Sequence, residues 1–142
     1  MAKQRKRLRR GLMERVAGLL MAGIFIQGGW EAFRKPGKRA DKAAKLGLPE
    51  PEMMVRLNGA AMVVAGSALG LGIKPKFSAL ILLGTLIPTT LAGHRFWEES
   101  GQTRGMQETQ FLKNLGLIGG LLFLLSKRRS VRVPVKAEPA EE

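Results

Sequence analysis

The sequence predicts an all-α integral membrane protein, a four-transmembrane-helix bundle with both termini in the cytoplasm. Three observations support this fold class: four long apolar stretches, the lack of a polar stripe within them, and basic residues that flank them. Each stretch is about 20 residues long, the length at which an α-helix spans the hydrocarbon core of a bilayer. The stretches cover residues 12–33, 55–73, 77–96 and 111–126.

The first stretch begins like a signal peptide, because a basic segment at residues 1–11 precedes the apolar run. The run leads into Gln27-Gly28-Gly29-Trp30-Glu31, which offers no A-x-A cleavage site. We therefore interpret the stretch as an uncleaved first transmembrane helix that follows a basic cytoplasmic arm.

Prolines mark the second and third stretches. Pro49, Pro51 and Pro75 lie just before a helix start, where proline is tolerated. Pro88 lies inside the third stretch and removes the hydrogen bond to the carbonyl of Gly84, so we predict a kink there. Nearby threonine hydroxyls are expected to satisfy the freed carbonyl. The candidates are Thr85, Thr89 and Thr90.

The fourth stretch distinguishes a membrane protein from a soluble helical bundle. Residues 117–125 are apolar on every face of a helix, and such a helix needs lipid or a large core around it. A chain of 142 residues whose remainder is this basic cannot supply that core. Residues 127–142 are first basic and then acidic, with prolines, which predicts a disordered cytoplasmic tail.

The formal net charge of +13 comes mostly from clusters beside the apolar stretches. This placement is typical of membrane proteins. Nucleic-acid binding would need the cations on a folded surface with aromatic platforms, so we expect no nucleic-acid partner. Fourteen lysine and arginine residues lie on the side of the termini and ten on the other. The excess predicts cytoplasmic termini, although the first loop, residues 34–45, is also basic.

Cysteine and tyrosine are absent, and histidine occurs once. The chain can therefore hold no disulfide, iron–sulfur cluster or bis-histidine haem, and it can use neither thiol exchange nor a tyrosyl radical. We expect no metal site. Electrons for any redox reaction would have to come from a partner.

Small residues recur at helical spacing in three of the four stretches. Such faces let helix backbones approach closely in lipid. We interpret them as packing faces within the bundle, and a homo-oligomer formed through them is the alternative. The residues are Gly18, Ala22 and Gly29 in the first stretch, Gly59, Gly66 and Gly70 in the second, and Gly116 and Gly120 in the fourth.

Polar residues within the stretches collect at the outer end of the predicted bundle. The first and third helices carry them late and the second and fourth carry them early, so the alternating topology brings them into one layer. Because polar groups inside membranes mark functional sites, we interpret this layer as a ligand-binding pocket, and snorkelling to water is the alternative. The candidate residues are Gln27, Glu31, Asn58, His94, Gln110, Lys113 and Asn114, with Trp30 and Trp97 as interface aromatics.

Two motifs late in the chain carry a family resemblance. His94-x-Phe96-Trp97 is followed by Gln110-Phe111-Leu112-Lys113-Asn114-Leu115 and then by Gly119-Gly120. With Leu46-Gly47-Leu48-Pro49 and the glycine-rich second helix, the chain from about Leu12 to Ser126 resembles the DoxX family. The resemblance implies a multi-pass protein of the plasma (bacterial inner) membrane that is associated with quinol-oxidase and thiosulfate:quinone oxidoreductase components. It implies no particular reaction.

Two functions fit these residues. In the first, the protein is an accessory subunit of a membrane-associated redox system, quinone- or sulfur-linked, and works with a redox-enzyme partner. His94 and Lys113 would donate hydrogen bonds to a quinone, Asn58 and Asn114 would orient it, and Glu31 would relay protons. In the second, the protein is a non-enzymatic scaffold or carrier in the lipid bilayer that binds a lipid headgroup, a small metabolite or a partner helix. The sequence leaves open whether the chain catalyses a reaction.

Overall fold

Helices make up every regular element of the described chain. The computed structural model describes residues 2–126, with side chains from residue 11 onward, and the predicted tail lies outside this range. The elements are α1 (Ala2–Arg34), α2 (Gly37–Lys45), α3 (Pro51–Gly70), α4 (Pro75–Gly93), a 3-10 turn (Phe96–Glu98) and α5 (Gly101–Ser126). Four of them, α1, α3, α4 and α5, are long and apolar enough to cross a membrane. The predicted all-α membrane fold with four spanning helices is confirmed.

All four spanning helices begin earlier than the predicted stretches, and α1 begins at Ala2 rather than at residue 12. Both α3 and α4 begin at a proline, Pro51 and Pro75, rather than at residues 55 and 77. Proline suits the first helical position because its ring presets φ and its missing N–H would have no partner there. The preceding residues, Glu50 (φ 44°) and Lys74 (φ 40°), turn the chain in the left-handed conformation. α5 begins at Gly101 rather than at residue 111, because the polar residues between are mostly good helix formers.

The first loop contains a helix that was not predicted. In α2 the apolar side consists only of alanines, of which Ala43 is buried. Lys42 Nζ donates a hydrogen bond to the carbonyl oxygen of Gly93, and Arg39 Nη2 lies 3.3 Å from Glu31 Oε2. α2 therefore ties the end of α1 to the end of α4. Alanines spaced between lysines give only a weak amphipathic pattern. The high charge of the segment made it resemble a loop rather than a helix.

The spanning helices pack in a row that shares one core. α3 lies against both α1 and α4, and α5 packs against α4. Phe25, Met62, Leu82 and Leu121 bring one buried side chain from each helix into the core. The outward surface is apolar as well, and this is the surface that a helix in lipid presents to acyl chains.

The helix α4 continues through Pro88. The expectation that threonines satisfy the carbonyl of Gly84 is wrong. A threonine hydroxyl in a helix reaches back three or four residues from its own position, and none of the three threonines is spaced that way from Gly84. The hydroxyls of Thr85, Thr89 and Thr90 donate instead to the carbonyl oxygens of Leu82, Thr85 and Leu86, respectively. The kink at Pro88 stays a prediction.

Candidate functional site

The buried part of the predicted polar layer is organised around two threonines of α4. Thr90 is 2% exposed and Asn114 of α5 is 5% exposed. Asn114 Nδ2 donates to Thr90 Oγ1 over 3.1 Å, and Thr90 Oγ1 donates to the carbonyl oxygen of Leu86 over 2.7 Å. The buried hydroxyl therefore accepts one hydrogen bond and donates another, as a buried polar group should.

The same arrangement is repeated on the side of α4 that faces α3. Asn58 Nδ2 donates to Thr89 Oγ1 over 3.1 Å, and Thr89 Oγ1 donates to the carbonyl oxygen of Thr85 over 2.7 Å. We call Asn58, Thr89, Thr90 and Asn114 the threonine–asparagine clamp. It joins α4 to α3 on one side and to α5 on the other.

His94 follows α4 and contacts α5 rather than the clamp. Its Nδ1 lies 2.8 Å from Gln107 Oε1, so Nδ1–H is the donor and Nε2 is left as an acceptor. The ring is half-buried. Because the neighbouring Gly93 carbonyl accepts a hydrogen bond from Lys42, the end of α4 is tied to both α2 and α5.

The other predicted site residues are exposed and do not join the clamp. Glu31 pairs with Arg39, and Lys113 Nζ donates to Gln110 Oε1 on the surface of α5. The side chain of Gln27 has no hydrogen bond among the described residues. Six of the seven predicted residues therefore form separate pairs at one end of the bundle, and Gln27 joins none of them. A shared ligand pocket among the seven stays a prediction.

The two tryptophans are each 51% exposed at the same end of the bundle. Trp30 stacks on Phe33 with 6.1 Å between ring centroids, and the Arg34 guanidinium lies 5.7 Å from the Trp30 centroid. Trp97 meets Phe111 edge-on at 6.0 Å. Half-exposed amphipathic rings of this kind are typical of the membrane interface.

An open cleft lies between α4 and the segment that follows α2. Its volume is 310 Å³, and its lining is apolar apart from one arginine. Arg95 Nε is buried without a hydrogen-bond partner among the described residues, while Arg95 Nη1 lies 2.7 Å from Glu98 Oε1. A buried unpaired donor of this kind costs about 1–3 kcal/mol. The lining residues are Leu46, Leu48, Pro88, Leu91, Ala92 and Arg95.

Sequence reasoning missed several of these residues. The adjacent threonines Thr89 and Thr90 directly after Pro88 were a usable signal, because a hydroxyl pair in an apolar helix needs partners on two faces. Gln107 and Arg95 gave no comparable signal. Their contacts depend on how the turn after α4 folds back onto α5, which no local pattern in the sequence indicates.

A comparison with known protein families covers most of this structure. The family model of DoxX matches residues 14–95, from the early part of α1 to the end of α4. The match includes the cleft lining and the α3 and α4 members of the clamp, whereas the α5 motif at residues 110–115 lies beyond it. No curated protein and no solved structure matches this chain.

Proposed function

This chain belongs to the DoxX family, and we propose that it is an accessory subunit of a membrane-associated redox system that binds a quinone-type ring in the cleft beside Arg95. The observation that carries this proposal is a single unpaired donor, Arg95 Nε–H, at an otherwise apolar cleft. A quinone matches this lining, because it carries two carbonyl acceptors on an apolar ring with an apolar tail.

The charge at the cleft favours a neutral acceptor over a phosphate. Glu98 already balances the charge of Arg95 at 2.7 Å, so the pair offers a donor without a net positive charge. The Arg95 side chain is 41% exposed, and its ion pair with Glu98 at the surface contributes little stability.

Protons and electrons reach the ring by different routes in this proposal. Reduction of a quinone to a quinol adds two electrons and two protons. The electrons come from a redox-enzyme partner, since the chain lacks cysteine and carries one histidine. His94, next to Arg95 in the chain and the one histidine of the sequence, is the group that we propose for proton exchange with the ring. The polar layer then positions the end of α4.

Binding of decylubiquinone to the purified full-length protein tests this proposal. In a Trp30→Phe background Trp97 is the one remaining tryptophan, and it lies two residues from Arg95. We expect saturable quenching of Trp97 fluorescence. Arg95→Met should weaken binding by at least about tenfold, because a hydrogen bond from a charged donor is worth about 1.5–3 kcal/mol. Leu91→Phe should weaken binding by filling part of the cleft without adding a tryptophan.

The matched control is Arg104→Met, which removes an exposed arginine from α5 and should leave binding unchanged. Quenching that rises without saturation, equally in every variant, would show partition into detergent and overturn the proposal. Phospholipid without quinone in native mass spectrometry would favour the scaffold or carrier function instead.

We also propose that the protein lies in the bacterial inner membrane with both termini in the cytoplasm. Support comes from the excess of basic residues on the side of the termini, and the absence of cysteine makes a labelling test clean. Single cysteines at the exposed positions Ala44 and Glu108 should react with a membrane-impermeant thiol reagent in intact cells. A cysteine at Leu71, 74% exposed at the other end of the bundle, should not react. The reverse pattern would place the clamp and the cleft on the cytoplasmic side.

A further inference from the structure

The cations of α2 divide into two groups with different surroundings. Arg39 pairs with Glu31, and Lys42 donates a hydrogen bond to the carbonyl oxygen of Gly93. Lys35, Lys38 and Lys45 are exposed and have no hydrogen bond or ion pair among the described residues. We call these three lysines the α2 basic face.

The geometry of α2 turns this face away from the protein. Ala43 is buried against the bundle, and at 100° per residue Lys38 and Lys45 fall on the opposite side of the helix. Asp41 falls between them on that side but pairs with neither lysine. Lys38 and Lys45 on this side of α2, with Lys35 just before the helix, outnumber the one carboxylate and leave a net positive charge.

The neighbours of α2 place this face at the level of the lipid headgroups. The candidate span in α1 ends at Arg34, and the next begins at Pro51, so α2 lies between two spans. Trp30, half-exposed with the Arg34 guanidinium on its ring, marks the interface one turn before α1 ends.

We propose that the α2 basic face is a binding surface for anionic phospholipid headgroups. The occupant is set by charge complementarity, since free lysines at the interface attract anionic lipid and a lysine binds phosphate as a point charge. This surface is separate from the cleft beside Arg95, where the arginine is already neutralised by Glu98. The two proposals therefore succeed or fail independently.

The test compares lipids around α2 in nanodiscs that hold the full-length protein. A fluorophore is attached to Ala44→Cys, an exposed position on α2, and quenching is measured with nitroxide-labelled phosphatidylglycerol and phosphatidylcholine. We expect stronger quenching by phosphatidylglycerol. Lys35→Gln, Lys38→Gln and Lys45→Gln combined should bring the two lipids to equal quenching, because each cation is worth about fivefold in local lipid affinity. Asp41→Asn should raise the preference.

A fluorophore on Gly105→Cys, at the same end of the bundle on α5, is the matched control and should show no change in any variant. The substituted lysines have no hydrogen bond or ion pair within the described part of the chain, so circular dichroism and gel filtration should show an unchanged fold. Equal quenching by both lipids in the parent protein, or a preference that survives the triple substitution, would overturn the proposal.

Discussion

The interface between α1 and α3 and the two interfaces of α4 are held together by different interactions. Between α1 and α3 the backbones touch: a Cβ on Gly29 would lie 2.6 Å from the carbonyl oxygen of Gly59. Around α4 the contact is polar, through the threonine–asparagine clamp. Close backbone packing and interhelical hydrogen bonds both stabilise helix contacts in lipid, where the hydrophobic effect does not drive helices together.

The two kinds of interface also differ in extent. The close approach of α1 and α3 runs along both helices, since a Cβ on Gly66 or Gly70 would lie within 3.1 Å of Phe25 or Ala22. The clamp is confined to one end of α4. The α1–α3 interface therefore leaves no room for a ligand, whereas the end of α4 combines satisfied polar groups with the open cleft at Pro88.

The largest expected effect comes from adding one methyl group to the α1–α3 interface. In Gly59→Ala the new Cβ would lie 2.5 Å from the carbonyl oxygen of Gly29 and 2.8 Å from the backbone nitrogen of Phe33. Neither backbone atom can move without separating the helices. We expect the free energy of unfolding in detergent to fall by at least about 2 kcal/mol, the range of overpacked cores. Titration with sodium dodecyl sulfate, followed by circular dichroism, measures it.

If Gly59→Ala is as stable as the parent protein, the close approach of α1 and α3 does not exist. Gly28→Ala is the matched control on α1, because its Cβ would meet only the flexible end of Met62 at 3.8 Å. That variant should lose little stability. The contrast between the two alanines separates a backbone clash from a general intolerance of α1 and α3 to substitution.

A smaller effect is expected from the clamp. Asn114→Ala removes one interhelical hydrogen bond, worth about 0.6–1.7 kcal/mol inside a membrane bundle. Thr90→Val removes the same bond from the other side, so the double mutant should lose less than the sum of the singles. Strict additivity of these two losses would show that the bond does not stabilise the fold.

The half-buried pair of Asn58 with Thr89 provides a graded comparison. We expect Asn58→Ala to cost less than Asn114→Ala, because water or lipid headgroups can replace a partner that is not fully enclosed. His94 and Asn114 bind different partners, Gln107 and Thr90, so a His94→Ala, Asn114→Ala pair should be nearly additive. Strong coupling between them would indicate that a ligand or water joins them into one site.

The sequence predicted the four spanning helices because length and continuous hydrophobicity are local properties, readable at each stretch. It also indicated Asn58 and Asn114, since an amide inside an apolar run stands out. It could not indicate that their partners would be Thr89 and Thr90, because that depends on how three helices are rotated against each other. The same limit hid α2, in which Ala43 becomes buried only once the neighbouring helices are in place.

The cleft was unpredictable for a further reason. Residues from α4 and from the segment after α2 form it, so its two walls are distant in sequence. No single leucine in this lining indicates a cleft. An arginine at the end of a predicted helix is ordinarily expected to reach water, so the sequence did not single out Arg95. Only the fold distinguishes its Nη1, paired with Glu98, from its Nε, which is buried and unpaired.

The smallest expected effect is at Gly116, where the glycine pattern continues but the close packing does not. A Cβ on Gly116 meets no atom within 4 Å, in contrast to Gly59. Because glycine inside a helix is less favourable than alanine by about 0.5–1 kcal/mol, Gly116→Ala should leave the isolated protein unchanged or slightly more stable. The exposed surface of α5 around it is the remaining candidate for the predicted homo-oligomer. A Gly116→Ala variant that loses stability, or that shifts to a smaller species in detergent gel filtration, would show that a second chain covers this surface. The surface of α5 around Gly116 would then be a closely packed interface like that between α1 and α3, and not a surface that faces lipid.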